Sequence, residues 1–235
     1  LNSGYTFPDL LEELSELEGK FRINYMTSHP KDFNKRVVDI IKSHKNISHY
    51  IHLPIQSGSD KILKLMNRRY TREKYLDIID YIRQEISDAG ITTDIMVGFP
   101  NESEEDFLDT LDIIKRVRFS NAFMFIYSPR KGTPAAEMEQ VDEGIKNERI
   151  KRLIDLQRQI TREQSKELIG TIQEVLIEDI SPKYEDMYCG RTDNGRLVHF
   201  ESKGKNIGEF IPVEIVSNKS AALLGVYSGE NDEEN

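Results

Sequence analysis

The sequence predicts an α/β chain, part of a (β/α) barrel with parallel strands, followed by a small all-β barrel. Three observations carry that expectation. The runs Ile51–Ser59, Asp94–Glu102 and Phe125–Arg130 are each a short, mainly apolar strand that breaks into glycine, proline or polar residues and leads into the next helical stretch. Loops at the C-terminal ends of parallel strands converge on one face, where α/β barrels and sheets build their sites. Between these runs lie segments of helical periodicity, as right-handed βαβ crossovers require. After Gly170 the chain changes to short β-rich runs separated by turns.

Taken in order, Pro8 stands where a first helical residue should, and Leu10, Leu11, Leu14 and Leu17 follow at helical spacing. Phe21–Met26 reads as a strand, and Val37, Val38, Ile40 and Ile41 give the apolar face of the next helix. Strand Tyr50–Ile55 leads to a short helix with Ile62, Leu63 and Met66. Thr71 can cap another, whose stripe is Tyr75, Ile78, Ile79 and Ile82. Gly90 ends that helical region, and Ile91–Phe99 is apolar enough for a strand covered on both faces. Ser103 caps a helix bearing Phe107, Leu111 and Ile114, and Ala122–Tyr127 is the fourth strand. From Asp142 to about Glu167, Ile150, Leu153, Leu156 and Ile160 mark one long helix. The β-rich runs are Ile172–Ile177, Met187–Arg191, Leu197–Phe200, Ile207–Ile215 and Ala222–Tyr227, with Asp193-Asn194-Gly195 as a hairpin signal.

Four parallel strands are too few to close a barrel, and the chain begins with Leu1. The expectation is therefore a C-terminal part of a longer protein: barrel over 1–140, connecting helix over 141–167, small β-barrel over 168–228 and acidic tail over 229–235. The missing strands would leave an open sheet edge, so a dimer through that edge is expected.

Composition excludes several classes. No apolar run approaches the roughly 20 residues of a membrane span and no signal peptide is evident, so a cytoplasmic location without membrane association is expected. Cys189 is the single cysteine, which excludes an internal disulfide and any multi-thiolate metal site made from this chain alone. Net charge is −9, against a generic polyanion binder, yet Lys61, Lys64, Arg68, Arg69, Arg72 and Lys74 form a local basic run. No P-loop or GxGxxG follows any strand, which disfavours an ordinary nucleotide-binding enzyme.

Five motifs in order, Thr27-Ser28-His29-Pro30, His52-Leu53-Pro54-Ile55-Gln56-Ser57-Gly58-Ser59, Met66-Asn67-Arg68-Arg69-Tyr70-Thr71, Val97-Gly98-Phe99-Pro100 and Tyr127-Ser128-Pro129-Arg130-Lys131-Gly132-Thr133-Pro134-Ala135-Ala136, resemble the radical S-adenosylmethionine methylthiotransferases. Within that family the resemblance is to the MiaB type, which methylthiolates C2 of an N6-isopentenyladenosine beside the tRNA anticodon. Arg118-Phe119 and Gly190-Arg191-Thr192-Asp193-Asn194 favour that type over relatives acting on threonylcarbamoyladenosine or a ribosomal protein. The small β-barrel looks like a TRAM module. The resemblance thus implies a partial radical SAM barrel followed by an RNA-binding domain.

It further implies S-adenosylmethionine and 4Fe–4S clusters as cofactors of the full-length protein, with an external reductant and tRNA as partners. In the family a CxxxCxxC loop holds one cluster, and electron transfer from it cleaves the sulfonium to a 5′-deoxyadenosyl radical. None of those cysteines is present, so this chain alone is expected to be inactive and to hold no metal. The residues expected to face the cofactor are Gln56, Ser57, Gly98, Glu102, Tyr127 and Ser128. Gln56 and Ser57 would hydrogen-bond the ribose or amino-acid part, and Gly98 would admit the ligand closely. The plainer reading of Gln56-Ser57-Gly58-Ser59 is a tight turn with Ser59 as helix cap. Glu102 follows Asn101, where the family usually has glycine; it either positions the cofactor or favours the next helix N-terminus. Arg68, Arg69, Arg130, Arg191 and Lys203 are the RNA or substrate candidates, although acids outnumber bases across 168–228. His29 and His52 are read as structural histidines. The alternative to an enzyme fragment is a non-catalytic RNA-binding protein.

Overall fold

The computed structural model describes residues 4–26, 30, 33–201, 204–219 and 222–229. Thr27–His29, Lys203 and most of the acidic tail lie outside the described residues. The chain forms two compact units, Leu1–Ile160 and Thr161–Asn235. Among the described residues no helix is long and apolar enough to cross a membrane.

The first unit runs α1 (Phe7–Ser15), α2 (Lys35–Ser43), β1 (Tyr50–His52), α3 (Asp60–Leu65), α4 (Arg72–Glu85), β2 (Gly90–Val97), α5 (Glu104–Val117), β3 (Asn121–Ile126), a short 3-10 turn (Pro134–Glu137) and α6 (Glu143–Glu167), whose residues from Thr161 onward belong to the second unit. The strands form a parallel sheet in the order β1-β2-β3. Caps fix the helix starts as their sequences require: Asn34, Ser59, Thr71 and Ser103 each accept a backbone N–H of the first helical turn.

Four sequence expectations need correction. Phe21–Met26 is not a strand; only Ile23 pairs, in one parallel bridge to Ile47, because its partner segment is the turn after α2. The sheet therefore has three strands, and β1 stops at His52. Pro54 has no N–H, and the Ile55 N–H goes to Thr93 Oγ1 (2.9 Å), so pairing resumes only at Gln56. Gly90 does not end a helix: α4 finishes at Glu85, and Gly90 opens β2 opposite Tyr50.

The fourth correction concerns burial of β2. Ile91, Ile95 and Val97 join Ile51, Ala122, Met124 and Ile126 on the helix-covered face of the sheet. The other face carries His52, Asp94, Met96, Phe123 and Phe125; Asp94 and Met96 are half-buried, and both phenylalanines are exposed. Alternation across a pleated sheet places these side chains together.

The second unit is a closed barrel of β4 (Ile172–Ile180), β5 (Tyr188–Thr192), β6 (Leu197–Phe200), β7 (Phe210–Lys219) and β8 (Ala222–Tyr227), ordered β4-β5-β6-β8-β7. All pairs are antiparallel except β6 with β8. Val175, Ile177, Val198, Phe200, Ile211, Val213, Ile215 and Leu223 fill it. Gly190 is obligatory here, since a Cβ would stand 2.1 Å from Leu176 O on the neighbouring strand. The expected hairpin at Asp193-Asn194-Gly195 forms, with positive φ only at Gly195.

Candidate functional site

The loops that follow β1, β2 and β3 lie at one end of the sheet, joined by their backbones. Gln56 N–H donates to Asp94 O (2.8 Å), Met96 N–H to Gln56 O (2.9 Å), and Tyr127 N–H to Val97 O (2.9 Å). Gln56 is held at φ +70°, a conformation costly for a side-chain-bearing residue and characteristic of functional turns. Its side chain is half-buried at the rim.

Ser57 is buried toward α5. Its Oγ lies 3.4 Å from Thr110 Oγ1 and accepts the Ser59 N–H, while the Gly58 N–H donates to Thr110 Oγ1 (2.9 Å). Ser59 caps α3 and also donates to Asp106 Oδ1 (2.6 Å). Asp106 is the hub of this loop: its carboxylate further accepts Lys61 Nζ (2.6 Å) and the Ser103 N–H (2.9 Å). Burial pushes the Asp106 carboxyl up, but the hydrogen bonds from Lys61, Ser59 and Ser103 outweigh it and hold the pKa at about 2.

Asp106→Asn should therefore cost about 2 kcal/mol near neutral pH. Because the folded pKa is depressed below 3.8, this stabilisation is complete above the unfolded value and is lost as the pH falls through about 2. Urea unfolding followed by far-UV circular dichroism should show the gap between wild type and variant closing over that interval. A gap that stays constant would assign the loss to packing instead.

After β2, Gly98 (φ +72°) and Asn101 (φ +64°) turn the chain into α5. Asparagine tolerates this geometry well, which accounts for Asn101 standing where the resembled family usually has glycine. A Cβ at Gly98 would fall 2.4 Å from Lys146 Cγ, so the free space at that glycine is filled by the stem of Lys146. Glu102 is buried; its Oε2 accepts the Gly98 N–H (2.8 Å) and Arg149 Nη1 (2.8 Å), and its Oε1 has no hydrogen-bond partner. Burial raises the Glu102 pKa more than the Gly98 N–H and the Arg149 charge lower it. Arg149 is equally buried, and its Nε sits at ion-pair distance from Glu104 (3.5 Å) without hydrogen-bond alignment. Asn101, Glu102 and Ser103 also border an open cleft of about 750 Å³ with Lys61, Glu139 and Arg149.

After β3, Tyr127 packs edge-on against Phe99 (5.1 Å between centroids), with Lys146 Nζ 6.0 Å from its ring centre. Its hydroxyl is buried and unpartnered. Lys146 is fully buried, and its ammonium donates to Glu143 Oε1 (2.7 Å), a carboxylate that is itself exposed. Ser128 and Arg130 are exposed at the rim. Gln56, Gly98, Glu102 and Tyr127 are thus brought to one end of the sheet, whereas Ser57 faces α5. His52 is structural in its contacts: Nδ1 meets Thr92 Oγ1 (3.0 Å), and the ring meets Phe123 edge-on.

Sequence reasoning missed Asp106, Lys146 and Arg149. The last two were legible in principle: the buried stripe of α6 is Lys146, Arg149, Leu153, Gln157 and Ile160. Continuing the Leu153–Ile160 period backward by four and seven residues reaches both cations.

Two of the six cations of the basic run are spent internally. Lys61 binds Asp106, and Arg72 binds Asp109, Asp112 and the Gly58 carbonyl. Arg68 is half-buried and Arg69 exposed; neither makes an ion pair among the described residues. In the β-barrel unit Arg191 pairs with Glu178 (3.3 Å). Cys189 is buried in β5, its Sγ directed at Ile180 O (3.8 Å), and burial pushes the thiol pKa up.

Comparison with known proteins adds independent findings. Residues 2–114 match the Radical SAM superfamily and residues 166–226 match the TRAM domain. The chain is 50% identical over 226 residues to a protein of Natranaerobius thermophilus named tRNA-2-methylthio-N(6)-dimethylallyladenosine synthase, covering 96% of this chain and 50% of that protein. A protein of Thermoanaerobacter pseudethanolicus with the same name is 49% identical, covering 96% and 48%. The chain therefore spans about half the length of the curated relatives it matches. Among solved structures, coproporphyrinogen III oxidase from Escherichia coli, described as a radical SAM enzyme, aligns with a TM-score of 0.47 at 14% identity over 86% of this chain and 50% of that one.

Proposed function

We propose that this chain, whose residues 2–114 match the Radical SAM superfamily and residues 166–226 the TRAM domain, is the cofactor-facing and RNA-binding half of a tRNA methylthiotransferase. The reaction of the whole protein would add a methylthio group to C2 of N6-isopentenyladenosine beside the anticodon. The observation that carries this reading is the meeting of Gln56, Gly98, Glu102 and Tyr127 at one end of a parallel sheet, in a chain half identical to proteins so named.

A 4Fe–4S cluster does not fit the residues of this chain. It needs three or four thiolates, and the lone Cys189 is buried in the other unit with its Sγ against a backbone carbonyl. Its ligands, and the reductant that serves it, would come from outside this chain, and no step is derived through it. S-adenosylmethionine does fit: the buried, unpartnered Tyr127 hydroxyl and Glu102 Oε1 are polar groups awaiting a partner, and Gln56 is held at the rim in a conformation a plain turn would give to glycine. When bound, this cofactor supplies radical chemistry at an unactivated C–H bond.

The protein groups bind and orient. Gln56 would offer its amide to the ribose or amino-acid part, and Tyr127 and Ser128 would contact the adenine. Glu102, fixed between Gly98 N–H and Arg149 of α6, holds the shape of the loop after β2. Arg68, Arg69 and Arg130 offer cations to tRNA at the mouth.

The test is a chimera in which this chain replaces the aligned half of the Natranaerobius thermophilus relative, expressed in a bacterial strain lacking tRNA methylthiotransferase. Mass spectrometry of digested tRNA should show the methylthio derivative of isopentenyladenosine. Unmodified isopentenyladenosine, in cells where the chimera accumulates folded, would overturn the reading. A methylthio group found only on threonylcarbamoyladenosine or on a ribosomal protein would reassign the substrate.

A further inference from the structure

Within the β-barrel unit, the turn between β4 and β5 is built around Ser181. Its Oγ accepts the N–H groups of Lys183 (3.2 Å) and Tyr184 (3.1 Å) and shares a hydrogen bond with His199 Nδ1 (2.9 Å). The Tyr184 ring meets His199 edge-on, centroids 5.0 Å apart. A rigid turn thus presents one aromatic ring at the barrel surface.

Two ammonium groups are gathered over that ring. Lys183 Nζ lies 5.4 Å from its centre and Lys219 Nζ, from the end of β7, lies 5.6 Å away. Both side chains are exposed, and neither makes an ion pair among the described residues. Glu185 and Asp186 follow in the same turn yet pair with neither lysine. Attraction to a ring face collects the charges without neutralising them. The local positive potential also reaches His199, whose pKa is lowered by burial first and by the Lys183 charge second. Of the other described cations of the barrel strands and turns, Arg191 is paired with Glu178, Arg196 is buried on Gln164 (2.6 Å), and Lys205 Nζ lies singly over the Tyr227 ring (5.7 Å).

Two cations on one aromatic ring, neither ion-paired among the described residues, combine the positive charge and the aromatic side chain that surfaces binding single-stranded RNA use. Resting on the proposed function above, we propose that Lys183 and Lys219, gathered on Tyr184, clamp the phosphate backbone of the tRNA. The clamp is sequence-independent and reconciles an acidic barrel with RNA binding, because the attraction is concentrated at one spot.

The experiment titrates this chain against a fluorescently labelled anticodon stem-loop RNA, by anisotropy, over a series of KCl concentrations. Lys183→Gln with Lys219→Gln should weaken binding about tenfold at low salt. It should also lower the slope of log K against log [KCl] by about 1.4, the release of counterions from two single-strand phosphates. Tyr184→Phe keeps the ring and should leave both readings unchanged. Lys115→Gln with Lys151→Gln, which removes the same charge from exposed sites elsewhere, controls for net charge and should leave the slope intact. The clamp is overturned if the Lys183/Lys219 variant matches that control, or if the wild-type chain shows no salt-dependent RNA binding. A chimera that methylthiolates tRNA while the slope stays unchanged would sink the clamp alone. A slope that falls as expected beside an inactive chimera would sink the methylthiotransferase reading alone.

Discussion

Arg149→Met should destabilise the first unit by about 3–5 kcal/mol, because it leaves the buried Glu102 carboxylate without its counter-charge. Arg149 Nη1 donates both to Glu102 Oε2 (2.8 Å) and to the Glu102 carbonyl (3.1 Å), so one guanidinium fixes both the side chain and the backbone of the loop after β2. The remaining partner of that carboxylate, the Gly98 N–H, cannot neutralise a charge. Glu102 already has a raised pKa through burial, and loss of Arg149 should raise it further.

The sign of the pH dependence follows. With the folded pKa above the unfolded one, the folded state binds more protons over the intervening range, so acidification favours folding. The deficit of Arg149→Met should be largest at neutral pH and shrink as the pH falls through the raised pKa. Glu102→Gln strands the opposite charge and should also destabilise, but without that recovery on acidification. The double variant Glu102→Gln with Arg149→Met should lose less than the two single losses added together. Urea unfolding at several pH values, with hydrogen exchange across residues 98–117, reads all of these. A deficit for Arg149→Met that is independent of pH would mean that shape, not charge, is what Arg149 supplies.

Gly58→Ala should be nearly as damaging, and for a purely steric reason. A Cβ there would lie 2.4 Å from the Asp109 carbonyl oxygen and 2.6 Å from Thr110 Cα, both backbone atoms of α5 that cannot swing aside. The loop would have to retreat, stretching Gly58 N–H to Thr110 Oγ1 (2.9 Å) and Ser59 Oγ to Asp106 (2.6 Å) and displacing Gln56 two residues away. Overpacking with loss of buried hydrogen bonds puts the cost at about 3 kcal/mol. That corresponds to a fall in melting temperature of roughly 6–12 °C for a unit of this size.

Gly132→Ala is the comparison. Gly132 has φ +85° and nothing within 4 Å of a Cβ, so only the backbone conformation is penalised, by about 1 kcal/mol. Equal melting temperatures for the two variants would show that the approach of the β1 loop to α5 is looser than its geometry indicates.

Most of the architecture could be read from the chain. Helix starts at Ser59, Thr71 and Ser103 are local events, decided by a side-chain oxygen and the backbone two or three residues on. The closing of the second unit was visible in its alternating runs and hairpin signal. The three site loops were legible too, because a strand that breaks into glycine, proline and polar residues does so wherever parallel strands end.

Other features depended on residues far apart in sequence. Phe21–Met26 has the composition of a strand but lacks a strand to pair with, and pairing is a property of two segments. The polarity of Asp94 says little until Phe123 and His52 are placed beside it on the face the helices leave open. Lys146 and Arg149 read as solvated charges in a polar helix, and only docking of α6 against the loop after β2 turns them into buried groups that fix Gly98 and Glu102. Local propensity and period are written in neighbouring residues and so survive in the sequence. Burial of charge, strand pairing and the gathering of Lys183 with Lys219 on one ring depend on packing between distant segments, and the fold alone decides them.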